Sequence, residues 1–167
     1  DLGLCCDYNS RLSLLAIQEA QAHKVQHVYS VGRRARAALA RSGLTLSRTY
    51  DAPASLEGLS RLLLRLAQDV LEDYLASKIG GLQVVSAGFE GVGHFQPLSA
   101  RVLPIEPVTA VKPLRRSPYI DTRHLTTVAV REFLYITLHE ILLDALAAEH
   151  GMRLMAAESA LEWLDDT

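Results

Sequence analysis

Cys5 and Arg11 bracket the stretch Cys5-Cys6-Asp7-Tyr8-Asn9-Ser10-Arg11. Phosphatases that form a cysteinyl-phosphate place a thiolate and a guanidinium at this spacing, around a loop whose amides cradle the anion and whose helix N-terminus lowers the thiol pKa. Asp7 lies inside that loop and would repel a phosphate, and the loop's other residues are bulky or polar. A cysteine-dependent phosphatase using Cys5 and Arg11 is therefore the alternative reading. His139-Glu140 opens like a zinc-peptidase helix, but Leu143 stands where the second histidine is needed. Gly88, Gly91 and Gly93 do not sit between a strand and a helix, which argues against a dinucleotide. The residues give no catalytic, metal-ligating or cofactor-binding set, and no cofactor is expected. An uncharacterised α/β ligand-binding domain remains a further possibility.

The elements that position these residues follow from periodicity. Residues 2–6 read as the end of a strand feeding a helix capped by Asn9 or Ser10, with Leu12, Leu15, Ile17 and Ala20 on its stripe. Val25–Val31 alternates and is rich in β-branched residues, so it reads as a strand. Gly32 turns it into a basic helix, Arg33–Arg41, closed by Gly43. Leu44–Tyr50 is a second strand. Leu56, Leu59, Leu63, Leu66, Val70 and Tyr74 then mark a long helix. Leu82–Ala87 and Gln96–Ile105 read as a hairpin. Pro104, Pro107, Pro113 and Pro118 punctuate a loop of about 17 residues, long enough to suggest that something outside holds it.

From Thr122 to about Asp165 the pattern is helical and free of proline. Phe133, Ile136, Ile141, Ala145, Ala148, Met152 and Met155 are expected to form one apolar stripe. About 40 helical residues span roughly 60 Å, against about 25–30 Å for a domain of this size. The expected fold class is α/β: a Rossmann-like layered sheet flanked by helices, with a long C-terminal helix projecting as half of a coiled coil. The division is residues 1–121 as a globular domain and 122–167 as the long helix.

Composition is that of an ordinary globular chain: 167 residues, 49% hydrophobic, 22% charged, net charge −2. Such a near-neutral balance argues against a bulk nucleic-acid binder, and no apolar run approaches the roughly 18 residues of a membrane span. The adjacent cysteines are expected to be reduced thiols. Charge is uneven: Arg33, Arg34, Arg36, Arg41 and Arg48 lie in a stretch without an acid, whereas 139–167 holds seven acids and only Arg153 as a strong base. Such a chain either has two oppositely charged solvated faces or docks different partners at its two ends.

Asp1-Leu-Gly3-Leu4-Cys5-Cys-Asp-Tyr8-Asn9 resembles the Asp-x-Gly-Leu-Cys-Gly-Gly-Tyr-Asn stretch of the gamma subunit of F-type ATP synthases. Tyr29-Ser-Val-Gly32-Arg33 looks like that family's strand-to-helix join, and Ala145–Ala156 is similar to its Leu-Ala-Ser-Glu-His-Ala-Ala-Arg-Met-x-Ala-Met helix. Cys6-Asp7 in place of paired glycines, and Gly151-Met152 in place of two alanines, mark a divergent branch. The resemblance implies a fragment lacking most of the family's N-terminal helix and its C-terminal end. It implies a central-stalk rotor that couples ion flow through the membrane sector to ATP synthesis or hydrolysis in the ring of α and β subunits, without bond chemistry of its own. The implied partners are the α and β subunits, the epsilon subunit and the c-ring of the membrane sector, with no nucleic acid and no membrane insertion. The implied place is peripheral, on the cytoplasmic face of a bacterial-type inner membrane. Glu149 and Arg153 match the family's Glu and Arg on the shaft helix and would be rotor–stator or helix-pair contacts, and Tyr119 and Asp121 would lie near the c-ring. Met152 and Met155, by their helical spacing, are either core residues or part of a partner-docking seam.

Overall fold

The computed structural model describes residues 3–106 and 121–165. Its elements run α1 (Tyr8–Ala22), β1 (Val28–Val31), α2 (Arg33–Arg41), β2 (Leu46–Tyr50), α3 (Leu56–Leu75), β3 (Leu82–Gly91), β4 (His94–Leu103) and α4 (Thr122–Asp165). The expected mixture of helix and sheet with a long C-terminal helix is present. Its sheet part consists of two small sheets among the described residues: β1 parallel to β2, and β3 antiparallel to β4. A groove of about 750 Å³ lies between β1 and β3, and the Ser30 hydroxyl on its wall has no partner among the described residues.

The strand end expected at residues 2–6 is not formed over the described residues 3–6. The chain turns there instead, with φ of 86° at Gly3, 54° at Leu4 and 47° at Cys6. A left-handed backbone cannot continue a strand. Asp7, two to three residues earlier than expected, caps α1 by position, without a side-chain bond. Gly32, at φ 95°, makes the β1–α2 join and donates its N–H to the Tyr50 carbonyl at 2.8 Å, tying the join to β2. Ser55 caps α3, its hydroxyl accepting from the Gly58 N–H at 3.2 Å. The proline loop expected after β4 falls largely on residues 107–120, outside the described residues.

Leu59, Leu62, Leu63, Leu66, Ala67, Val70 and Leu71 form the buried stripe of α3. The last six of these pack with Tyr50, Val102, Leu103, Leu134 and Leu138 in the main core. Each fully buried leucine contributes about 1.5–3 kcal/mol. A second cluster gathers Cys5, Tyr8, Ala87, Phe95, Ala148 and Met152 around the later part of α4. The helix, unbroken across Gly151, has 44 residues and is about 66 Å long.

Candidate functional site

The stripe expected on α4 resolves into two faces. Leu134, Leu138, Ala148 and Met152 are 1, 2, 1 and 6% exposed, and Ile141 and Ala145 are half-buried beside them. Phe133, Ile136 and Met155 point elsewhere, at 39, 56 and 42% exposure. The outer face has an order of its own. Phe133, Ala147, Leu154 and Leu161 fall at seven-residue steps, with one step taken by Glu140; Ile136, Leu143, Ala157 and Leu164 form the parallel row, with one step taken by His150. Two such rows three residues apart have the spacing of a coiled-coil seam, interrupted at Glu140 and His150. Leu143, Leu154, Leu161 and Leu164 are 38, 50, 62 and 62% exposed. Sequence periodicity missed the split because leucine and alanine occupy both faces.

Glu149 and Arg153 form a tight ion pair, Nη2 to Oε1 at 2.6 Å, with side chains only 13 and 23% exposed. The Arg153 Nε also donates to the Gly3 carbonyl at 3.3 Å. Nearby, the buried Tyr8 hydroxyl donates to the Ala145 carbonyl at 3.0 Å. Burial, then the negative charge of Glu149, hold the Tyr8 phenol protonated well above its usual range. Met155 packs on Gly93 at the hairpin tip. Asp121 is exposed immediately before α4, and its carbonyl accepts the first-turn N–H of Leu125 at 3.0 Å. Tyr119 lies outside the described residues.

A second polar cluster escaped the sequence reading. Arg48 on β2 reaches Asp69 at 3.0 Å and Asp73 at 2.9 Å, both on α3. Lys78 meets the other Asp73 oxygen at 3.0 Å, Tyr29 donates to Asp73 at 2.5 Å, and Tyr50 donates to Asp69 at 2.8 Å. The hydrogen bond from Tyr29, with those from Lys78 and Arg48, holds the Asp73 carboxyl far below the usual carboxylate range. Burial and that same carboxylate push the Tyr29 phenol up to about 12. A signal existed: Asp73 continues the buried stripe one heptad beyond Leu66, and a carboxylate in that phase demands a cation. Which cation answers is a matter of tertiary placement.

The phosphatase arrangement is not built. The Cys5 side chain is buried at 2% exposure and its sulfur accepts from the Asn9 amide at 3.0 Å. Arg11 lies over the Phe95 ring at 4.6 Å and beside Asp7 at 3.9 Å, so it faces no phosphate loop. His139 and Glu140 are exposed, and no cluster of metal-ligating side chains occurs among the described residues. No helix among them is long and apolar enough to cross a membrane.

The ATP synthase gamma chain of Lachnoclostridium phytofermentans is 22% identical over 98% of this chain and 60% of its own length. That of Nitratidesulfovibrio vulgaris is 28% identical over 99% of this chain and 60% of its own. This chain thus spans about 60% of the length of these relatives. A cryo-EM structure of the Tetrahymena thermophila mitochondrial ATP synthase central stalk and c-ring shares the fold, with TM-score 0.67 and 15% identity over 96% of this chain and 72% of that one. The family model described as ATP synthase matches residues 1–167, and the chain belongs to that family.

Proposed function

We propose that this chain is part of the central rotor of an F-type ATP synthase, working by mechanical coupling. In this reading α4, within residues 122–167, is one strand of a shaft, and residues 1–121 are the body at its foot. The observation that carries the reading is the exposed double row of α4, from Phe133 and Ile136 to Leu161 and Leu164. A row of this kind has no favourable place in water. A second helix laid along it completes a coiled coil that can turn inside the ring of α and β subunits. The body then grips the epsilon subunit and the c-ring, so that ion flow turns the shaft and the shaft drives the β subunits through states of different nucleotide affinity. The assembly lies at the cytoplasmic face of a bacterial-type inner membrane, as a peripheral part.

Among the residues expected at partners, Met155 borders the exposed face, and Tyr119 and Asp121 are proposed at the foot. Glu149, Arg153 and Met152 are turned towards the chain's own body. Coexpression of the complete subunit with candidate α, β and epsilon chains, followed by affinity capture, tests the proposal. Recovery of all three in fixed ratio is expected, and their absence from the eluate overturns the rotor reading.

A further inference from the structure

Packing of an apolar strip sets which face of a helix is buried, but apolar contact is non-directional and opposes small rolls about the axis less sharply than hydrogen bonds or backbone contacts do. α4 rests on the second cluster through Ala148 and Met152. Directional or steric contacts on both sides of that strip are what fix a helix about its own axis. At about 100° per residue, Ala145, Glu149 and Arg153 fall on one flank of Met152, and Gly151 and Met155 on the other.

Both flanks are occupied. On the first, Tyr8 donates to the Ala145 carbonyl at 3.0 Å and Arg153 donates to the Gly3 carbonyl at 3.3 Å. Glu149, bonded to Arg153 at 2.6 Å, orients the guanidinium for that contact. The second flank is met by the turn of the β3–β4 hairpin. A Cβ at Gly151 would stand 3.4 Å from the Val92 Cα and 3.6 Å from the Gly91 carbonyl, so the turn lies directly on the helix backbone, and Met155 lies on Gly93. Past this point the helix leaves the body: residues 157–165 are all exposed.

We propose that residues 3–8 and the hairpin tip 91–93 form a roll lock on α4 at the point where it leaves the body, with Tyr8 and Arg153 as its positioning residues. The lock itself stands on geometry. Its purpose, preventing lost motion between body and shaft, rests on the rotor reading. Glu149 and Arg153 are thereby assigned to internal transmission, where the sequence suggested contact with a partner.

The test has two arms. In a Cys6→Ser background, spin labels at Ala40→Cys on α2 and Ala157→Cys on the overhang report the distance between body and helix. A single narrow distribution is expected, broadening in the Tyr8→Phe/Arg153→Ala double variant while the circular-dichroism signal of helix is kept. Tyr8→Phe alone keeps the buried ring and removes only the hydroxyl, so it should give a smaller broadening even if the double variant fails to fold. Unchanged distributions in a folded variant would overturn the lock. In the second arm the complete subunit, carrying Tyr8→Phe and Arg153→Ala, is assembled into the ATP synthase. Ion pumping per ATP hydrolysed should fall several-fold while hydrolysis persists. Broadened distances with full pumping would overturn the transmission role. Failure of the wild-type subunit to assemble would overturn the rotor reading instead, since the labels are read on the chain by itself.

Discussion

The two faces of α4 are built from the same residue types and meet opposite fates. Leu134 and Leu138 are 1 and 2% exposed against α3 and the strands, while Ile136 and Leu143, a few residues away, are 56 and 38% exposed. A helix apolar on one stripe has one neighbour to find, whereas a helix apolar on two opposite stripes has two. The inner neighbour is the chain's own body, met with main-core packing and, farther along, with hydrogen bonds. On the proposed rotor reading the outer neighbour is another helix, since the apolar row recurs at seven-residue steps. On that reading, the difference separates what stabilises this chain from what assembles it.

Substitutions on the two faces should therefore diverge. Leu138→Ala is expected to have the largest effect, a loss of about 2–5 kcal/mol in chemical denaturation, since it opens a cavity in the main core. A loss below about 1 kcal/mol would show that the inner face is not packed as described.

The ion cluster beneath β2 supplies a pH-dependent check on the inner side. Tyr29 is raised from 10.0 to about 12 in the folded chain. The stability it contributes is complete below its unfolded value and is lost as pH rises through the folded one. Thermal unfolding between pH 10 and 12 should thus fall in wild type and fall less in Tyr29→Phe. Asp73 acts in the opposite sense. Its depressed pKa contributes stability that is present above the ordinary carboxylate range and lost on acidification below it. Asp73→Asn should flatten the acid limb.

Gly151→Ala probes the boundary between the faces. A Cβ there makes ordinary contact, 3.4 Å from the Val92 Cα, so relief of glycine's backbone entropy should stabilise the chain by about 0.5–1 kcal/mol. A destabilised variant would mean that the hairpin tip sits closer to α4 than described.

The smallest effect is expected on the outer face. Ile136→Ser should change stability by no more than about 0.5 kcal/mol. The exposed row should make the chain self-associate in sedimentation, and this variant should reduce that association. A wild-type chain that stays strictly monomeric at high concentration would argue against the row as a docking seam.

Local pattern already contained most of the secondary structure. The Val-rich run before Gly32, the leucines of α3 and the proline-free stretch after Thr122 each carry a period that only one element satisfies. α3 and α4 formed close to the expected bounds, while β1 formed over Val28–Val31 of the expected Val25–Val31. The strand end at residues 2–6 failed because Gly3, Leu4 and Cys6 adopt left-handed backbone, which short apolar composition cannot disclose. Periodicity along one chain reports that a residue wants to leave water, but not what it will meet. Tertiary structure alone decided that Met152 goes inward and Ile136 outward, that Arg48 answers Asp69 and Asp73 from another element, and that Arg153 reaches back to Gly3. These are choices between surfaces far apart in sequence, and only the folded chain brings the surfaces together.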